Sequence, residues 1–363
     1  MTTSHLTNGN GHVNVNGNGN GHAAKDPSRY WIKPYVPNQG ESFEDAKARF
    51  ATLIRDEDVA HWHEHGYVII ERFLSPEEME GINEGVHQHM PTSDEIARRE
   101  LVFGGLMGTS SRNMKGSSAA AVRYDFPYDS DALNNLAMHP FLLAFAERLA
   151  ETDDLALSLG HLVGKYAGRG EYDQALHSDY SNNSLVIPQE SKRWIDIPMI
   201  VYLTDVTPDL GPTYVVSQKH TEPRKLMEDG FRHHTRQDFP ELYDVEVPAL
   251  VPAGSVIIYS MRTFHRGSAM TADRGHRFVQ FTGYHTANVP WMAPMDQQHR
   301  MGSPEMDRFL VNADPRQRQI VGFPGVGHDY WKERGVVEAV GKRYPQMDMR
   351  PYGGGPPLAP RAN

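Results

Sequence analysis

Three side chains that could share one metal ion stand far apart in the sequence. His177 and Asp179 lie in the stretch LHSDYSN, and His265 follows 88 residues after His177 in TFHRGS. Residues i and i+2 of an extended segment point to one side, so His177 and Asp179 can offer a ring nitrogen and a carboxylate oxygen to the same ion. The chain has no cysteine. Thiolate metal sites, disulfides and cysteine nucleophiles are therefore excluded, and a set of His and carboxylate ligands points to iron, zinc or manganese. Two histidines and one carboxylate, with positions left open, make the ligand set of non-haem Fe(II) oxygenases. The open positions admit a bidentate cosubstrate and dioxygen. Arg277, 12 residues beyond His265, opens the next predicted strand. Its planar guanidinium suits the far carboxylate of a dicarboxylate cosubstrate, which it can bind through two charge-assisted hydrogen bonds.

Such a site needs a rigid scaffold, and from about Ala156 the sequence supplies strands. LALSLGHLVGKYAG, WIDIPMIVYLTDV, PTYVVSQ, YDVEVPALV, SVIIYSM and HRFVQFTGYH are short and β-rich, with turn signals such as TPDLGP and VPAGS between them. That spacing predicts a barrel or a double-sheet jelly roll. The preceding part is helical. SFEDAKARFATLI, DEDVAHWHEHG, SPEEMEGINEGVHQHM and HPFLLAFAERLAE read as helices, with one apolar strand, YVIIERF, among them. SPEE carries a complete helix start: Ser75 as N-cap, Pro76 in the first turn and Glu78 three residues on. The expected architecture is mainly β with helical supports, over residues 29–287.

The flanks differ. Residues 1–28, with NGNGNGH at their centre, cannot bury enough apolar surface to offset their ordering, and are expected to form a disordered tail. FGGLMGTSSRNMKGSSAAA is Gly- and Ser-rich and is expected to be a mobile loop of the kind that serves as a lid. Residues 288–363, rich in Pro, Met and Arg with two short helical pieces, are expected to pack on the core or at a subunit contact. The second alternative implies a homo-oligomer. The formal net charge of -10 argues against nucleic-acid binding by general phosphate attraction. No apolar run approaches the ~20 residues of a membrane span, and the first residues have neither the basic nor the apolar region of a secretory signal. A cytoplasmic enzyme acting on a small molecule, away from nucleic acid and membrane, is the expectation.

The order H-x-D, a strand with DVTPDLGPTYVV, then GSVIIYSMRTFHRGS and an arginine, resembles the phytanoyl-CoA dioxygenase-like family of Fe(II)/2-oxoglutarate oxygenases. HEHGYVIIERFLSPEEMEGI is similar to that family's N-terminal opening, and the resemblance covers roughly residues 56–285. It implies a double-stranded β-helix core of the jelly-roll or cupin-like kind. It implies His177, Asp179 and His265 as ligands of Fe(II), and Arg277 as the anchor for the tail carboxylate of 2-oxoglutarate. Ser268 matches a position that often hydrogen-bonds the same carboxylate. Lys165, on the strand before H-x-D, resembles a family lysine near the cosubstrate. Arg277 stands one residue further from the distal histidine than in many members. An extra residue in HRGS accounts for the offset, because the step from Ser268 to Arg277 keeps its usual length. The rival Arg274 lies in the turn TADRG, where a side chain faces solvent. Related halogenases carry a small residue where Asp179 stands, which opens a place for halide. With Asp present, the resemblance implies hydroxylation, desaturation or ring formation. Dioxygen is consumed and 2-oxoglutarate becomes succinate and carbon dioxide. A specialised biosynthetic step is implied, with primary lipid metabolism as the other option and the substrate itself unread.

Other histidines and carboxylates compete. His61 and His65 are four apart on a predicted helix, a zinc-binding spacing. No H-E-x-x-H accompanies them, and a solvated helix face that also carries His63 is the plainer reading. His161, near Lys165, reads as a satisfied core histidine or a pocket residue, and His233 and His234 lie in a charged loop. Asp196, Asp205 and Asp209 stand near strand ends, and the last two suit the turn chemistry of TDVTPDLGP. Two other classes stay open: a non-catalytic barrel that binds a small molecule, and a zinc hydrolase with the same three ligands.

Overall fold

A computed structural model describes residues 27–97, 121–168, 173–179, 195–226, 234–287, 289 and 303–358. Nearly all of the predicted tail, the predicted lid loop up to residue 120, and His233 lie outside them.

Helices α1 (Phe43–Ala51), α2 (Asp56–His65) and α3 (Pro76–His89) form where the sequence carries start signals. At α3 the capping box is complete: the Ser75 hydroxyl accepts from the Glu78 N–H, and the Glu78 carboxylate accepts from the Ser75 N–H at 2.8 Å. Helix α2 stops at Gly66, whose φ of 80° is left-handed, and the chain enters β1 (Tyr67–Ile70) at once. Then come α4 (Ser93–Ala97), β2 (Ala121–Asp125), α5 (Asp131–Ala137) and α6 (Pro140–Ala150). The strand-rich part holds β3 (Leu155–Tyr166), β4 (Asp196–Tyr202), β5 (Thr213–Val215), α7 (Gln218–Thr221), α8 (Pro240–Tyr243), β6 (Val247–Pro248), β7 (Ser255–Tyr259), β8 (His265–Gly267) and β9 (His276–Thr286). Three further helices, α9 (Pro304–Asn312), α10 (Pro315–Ile320) and α11 (Val336–Arg343), follow where the sequence suggests two. Met306, Phe309 and Ile320 from this part join the main core cluster, and Phe309 meets Phe126 edge-on at 5.0 Å.

Six strands pair antiparallel in the order β1-β7-β4-β9-β3-β2, and β6-β5-β8 form a smaller sheet. Isolated bridges extend the smaller sheet, pairing His177 with His265 and Leu176 with His234. Together the sheets make a double-stranded β-helix. Alternation along each strand sorts its two faces. On β4, Ile197, Met199 and Val201 join the cluster that includes Leu133, Leu136 and Phe141 of α5 and α6. Ile200 and Tyr202 instead join an inner cluster with Ile257, Tyr259 and Val279. On β9 the outward Thr282 and Tyr284 donate to the Ala137 carbonyl at 2.9 and 2.7 Å, which ties the sheet to α5. The inward positions of β9 are therefore Arg277, Val279, Phe281, Gly283 and His285. On β3 a register shift between Leu157 and Leu159 reverses the faces, so Val163 and Lys165 point inward.

Candidate metal centre

The two histidines predicted as ligands face each other directly. The His177 N–H donates to the His265 carbonyl at 3.0 Å, and the His265 N–H donates to the His177 carbonyl at 2.9 Å. This is the closely bonded pair of an antiparallel ladder. Opposed residues carry their side chains on one face, and the two ring centroids are 4.7 Å apart. Asp179, two residues on, returns to that face. Ligand atoms of His177, Asp179 and His265 all lie within 4.8 Å of one another. Strand register thus accounts for the 88-residue spacing.

Each of these side chains is oriented by a further bond. The Nδ1 of His177 meets the Ala175 carbonyl at 2.9 Å, and that of His265 meets the Thr263 carbonyl at 3.0 Å. A carbonyl only accepts, so Nδ1 carries the proton in both rings and Nε2 is the basic nitrogen. Tyr259, an inward residue of β7, donates its hydroxyl to Asp179 Oδ2 at 2.6 Å. The other carboxylate oxygen, Oδ1, lies 3.5 Å from His265 Nε2 and 4.0 Å from His177 Nε2. Those gaps are too long for good hydrogen bonds. Three ligands set at right angles around one ion, each about 2.1 Å from it, stand about 3 Å apart. Small side-chain rotations bring the set to that spacing, so it fits a single ion. Among the described residues no other group of three such side chains does so.

The electrostatics agree. Burial resists a charge on Asp179. The His265 ring, then His177 and the Tyr259 hydroxyl, outweigh it and hold the carboxyl well below the usual carboxylate range. Burial also works against protonation of His265, but the Asp179 charge wins and raises that ring above its ordinary value. A carboxylate kept ionised beside two imidazoles is a donor set that suits a divalent cation.

Lys165 and Arg277 lie directly opposite each other on β3 and β9. Both are inward and buried, at 8 % exposure each. Lys165 Nζ donates to the Ser268 carbonyl and Arg277 to the Gly211 carbonyl. Burial, and then the Arg277 charge, pull Lys165 down to about 8. Two buried cations on one barrel wall suit an anionic ligand. The rival Arg274 is exposed and pairs with Asp94 of α4 at 2.7 Å. Ser268 is buried at this end, but its hydroxyl donates to the Pro212 carbonyl at 2.7 Å. What it presents to Lys165 is its own carbonyl, whereas the resemblance implies a role for the hydroxyl.

The competing residues have structural partners. His61 stacks on His65 at 4.3 Å, and His65 Nδ1 meets Ser217 Oγ at 2.9 Å. His161 is held between Asp125 and Arg123, each at 3.0 Å. His234 is buried against Phe239 and Phe264. Asp205 accepts from the Ala253 N–H at 2.8 Å, and Asp209 from the Thr207 hydroxyl. Tyr259 is the site residue that sequence reasoning missed. In SVIIYSM it reads as an ordinary strand tyrosine, and its one signal is parity with the apolar Ile257 on a strand leading to His265.

Residues 62–278, more than half of the chain, match the sequence profile of the phytanoyl-CoA dioxygenase family (PhyH). The chain belongs to the phytanoyl-CoA dioxygenase family. This phytanoyl-CoA dioxygenase family member is accordingly a non-haem iron, 2-oxoglutarate-dependent dioxygenase, and His177, Asp179, His265 and Arg277 all fall inside the matched region. The dioxygenase af480 of Aspergillus fumigatus is 25 % identical over 304 residues, covering 82 % of this chain and 85 % of that protein. Among solved structures, the non-haem α-ketoglutarate-dependent carbocyclase SnoK from nogalamycin biosynthesis is 23 % identical, with a TM-score of 0.45 over 65 % of this chain and 86 % of its own. HygX from Streptomyces hygroscopicus, solved with nickel and 2-oxoglutarate bound, is 16 % identical, with a TM-score of 0.45 over 65 % of this chain and 88 % of its own. No helix among the described residues is long and apolar enough to cross a membrane.

Proposed function

We propose that His177, Asp179 and His265 hold Fe(II), that Arg277 with Lys165 holds the far carboxylate of 2-oxoglutarate, and that the enzyme hydroxylates, desaturates or cyclises a small organic molecule in a specialised biosynthesis. One observation carries the reading: the ladder pair His177–His265, with Asp179 returned to the same face. With dioxygen and 2-oxoglutarate, bound iron supplies the oxidising chemistry, and the cosubstrate leaves as succinate and carbon dioxide. The chain's part is orientation and exclusion of stray reactions. The Nδ1 bonds of His177 and His265 fix both rings, and Tyr259 fixes the carboxylate. Val163, Val279 and Phe281 give the inner wall an apolar lining. Asp179 fills the place that a halide takes in related halogenases, which favours oxidation over halogenation. The buried pair Lys165 and Arg277 favours an anionic cosubstrate over a zinc hydrolase with the same three ligands.

The test is oxygen uptake and succinate release on adding Fe(II) and 2-oxoglutarate, with candidate metabolites screened by mass for a gain of one oxygen or a loss of two hydrogens. Asp179→Ala is expected to abolish turnover. Equal turnover in that variant would overturn the ligand assignment, and oxygen-independent hydrolysis by zinc-loaded protein would favour the hydrolase.

A further inference from the structure

The inner wall carries a second polar group, at the end of the barrel away from Arg277. Asp196 of β4 and His285 of β9 are directly paired. His285 stands eight positions beyond Arg277 on β9, about 26 Å of extended chain. Tyr259 continues β7 one residue past the Ile258–Met199 pair, so the Asp179 it holds lies between the two ends. By strand alternation Asp196 shares the inward face with Ile200 and Tyr202, and His285 shares it with Val279 and Phe281. The charge of Asp179 acts on Asp196, and the charges of both act on Tyr259. All three therefore belong to one interior.

Ser158 donates its hydroxyl to Asp196 Oδ1 at 2.9 Å. That bond crosses β9 at Gly283, where a Cβ would stand 2.9 Å from Ser158 Oγ and 3.1 Å from Pro198 Cα. Asp196 and His285 are 3 % and 4 % exposed. Even so, Asp196 Oδ2 and His285 Nε2 are buried with no hydrogen-bond partner among the described residues. His285 Nδ1 meets the Thr286 carbonyl at 2.8 Å, so the ring proton sits on Nδ1 and Nε2 is an acceptor. Burial lowers the pKa of this ring, which favours its neutral form. Orphaned buried polar atoms are rare and destabilising. A pair of them on opposed residues, beside a metal centre, is tolerated where a ligand completes it.

We propose that Asp196 and His285 form a substrate subsite that takes hydrogen bonds from two neighbouring hydroxyl groups, as in a vicinal diol. Its place beside the reacting centre rests on the metal and cosubstrate reading above. Burial, and then the Asp179 charge, push the Asp196 carboxyl up to about 7. A hydroxyl can bond either form of that carboxyl, whereas an ammonium needs the ionised one. Both orphaned atoms act on one substrate, so losing either weakens the same recognition.

The experiment uses full-length protein loaded with Zn(II) and 2-oxoglutarate. Saturation-transfer NMR titrations compare cis-1,2-cyclohexanediol, its dimethyl ether and cyclohexylammonium. The diol is expected to bind at least about fivefold tighter than the ether, the worth of one modest hydrogen bond. That preference should fall below about twofold in His285→Phe and in Asp196→Leu. The melting temperature of substrate-free His285→Phe should change little, because the change removes an orphaned acceptor together with the bond from Nδ1 to the Thr286 carbonyl. Equal binding of diol and ether, tighter binding of the ammonium, or no binding of any probe overturns the proposal. So does a lowered melting temperature with the diol preference kept, which marks a structural role. If a variant does not fold, the wild-type comparison still decides. Calorimetry of 2-oxoglutarate binding on the same samples separates the two readings. Its loss in the wild type sinks the cosubstrate assignment, and its retention without a diol preference sinks the subsite alone.

Discussion

Tyr259→Phe isolates one hydroxyl. The ring meets His265 edge-on at 4.9 Å, and phenylalanine keeps that contact. What is lost is the 2.6 Å bond to Asp179 Oδ2. Burial, and then the Asp179 charge, raise the Tyr259 pKa far above its ordinary value, so the hydroxyl is a donor at any working pH. A hydrogen bond to an ionised group contributes about 1.5–3 kcal/mol. At about 1.4 kcal/mol per tenfold, that corresponds to roughly one to two powers of ten in affinity. Partners that orient metal ligands have effects of the same size, about 10- to 100-fold. The expected result is therefore Fe(II) binding weakened about 10- to 100-fold, measured under nitrogen by competition with a coloured chelator. The metal-free protein should also lose about 1–3 kcal/mol of stability, because the bond to the buried Asp179 carboxylate is made without the ion. A change in metal affinity below about threefold would refute the idea that Tyr259 sets the Asp179 carboxylate for the ion.

Lys165 gives a pH signature. Its pKa falls from 10.5 to about 8 in the fold. Between those values the unfolded chain holds a proton that the folded chain has released, so Lys165 adds stability as pH rises from about 8 towards 10.5. A bound dianion favours the ammonium form, so 2-oxoglutarate affinity should fall, with proton uptake, as pH rises through about 8. Calorimetry in buffers of different ionisation heat reads that uptake; if it persists in Lys165→Met, another group is responsible. Arg277→Ala should weaken 2-oxoglutarate binding about 10- to 100-fold, while Arg274→Ala, which breaks only an exposed pair with Asp94, should leave it within twofold; the reverse ranking in a titration would restore Arg274 as the anchor. Gly283→Ala inserts a methyl 2.9 Å from Ser158 Oγ and 3.1 Å from backbone, and should destabilise by about 1–3 kcal/mol in denaturant unfolding. An unchanged midpoint would show that the strands part easily there.

The candidate ligand set was legible because its side chains are chemically distinctive and their order along the chain is too. The geometry behind the order was not. Nothing local to LHSDYSN says that His177 pairs with His265, since that pairing joins single residues through an isolated bridge. Strand β8 has only three residues, too few for alternation to show. Strand β2 follows a run of Gly, Ser and Ala, and its extended form comes from pairing with β3. The inward placing of Asp196 and His285 was hidden for another reason. The register shift between Leu157 and Leu159 turns β3 over partway along, so parity counted from Lys165 fails at Ser158. Ser268 shows the limit of carrying a role across by position: the residue is buried at the right end, but its hydroxyl is taken by Pro212.

The ladder pair between His177 and His265 also bears on how the protein matures. A chain still being synthesised, complete only through β7, already contains His177 and Asp179 but has neither His265 nor the strand that His177 pairs with. Two of the three donors are then present without the framework that aims them. With these residues as the proposed iron ligands, a complete ligand set forms only late, at closure of the smaller sheet.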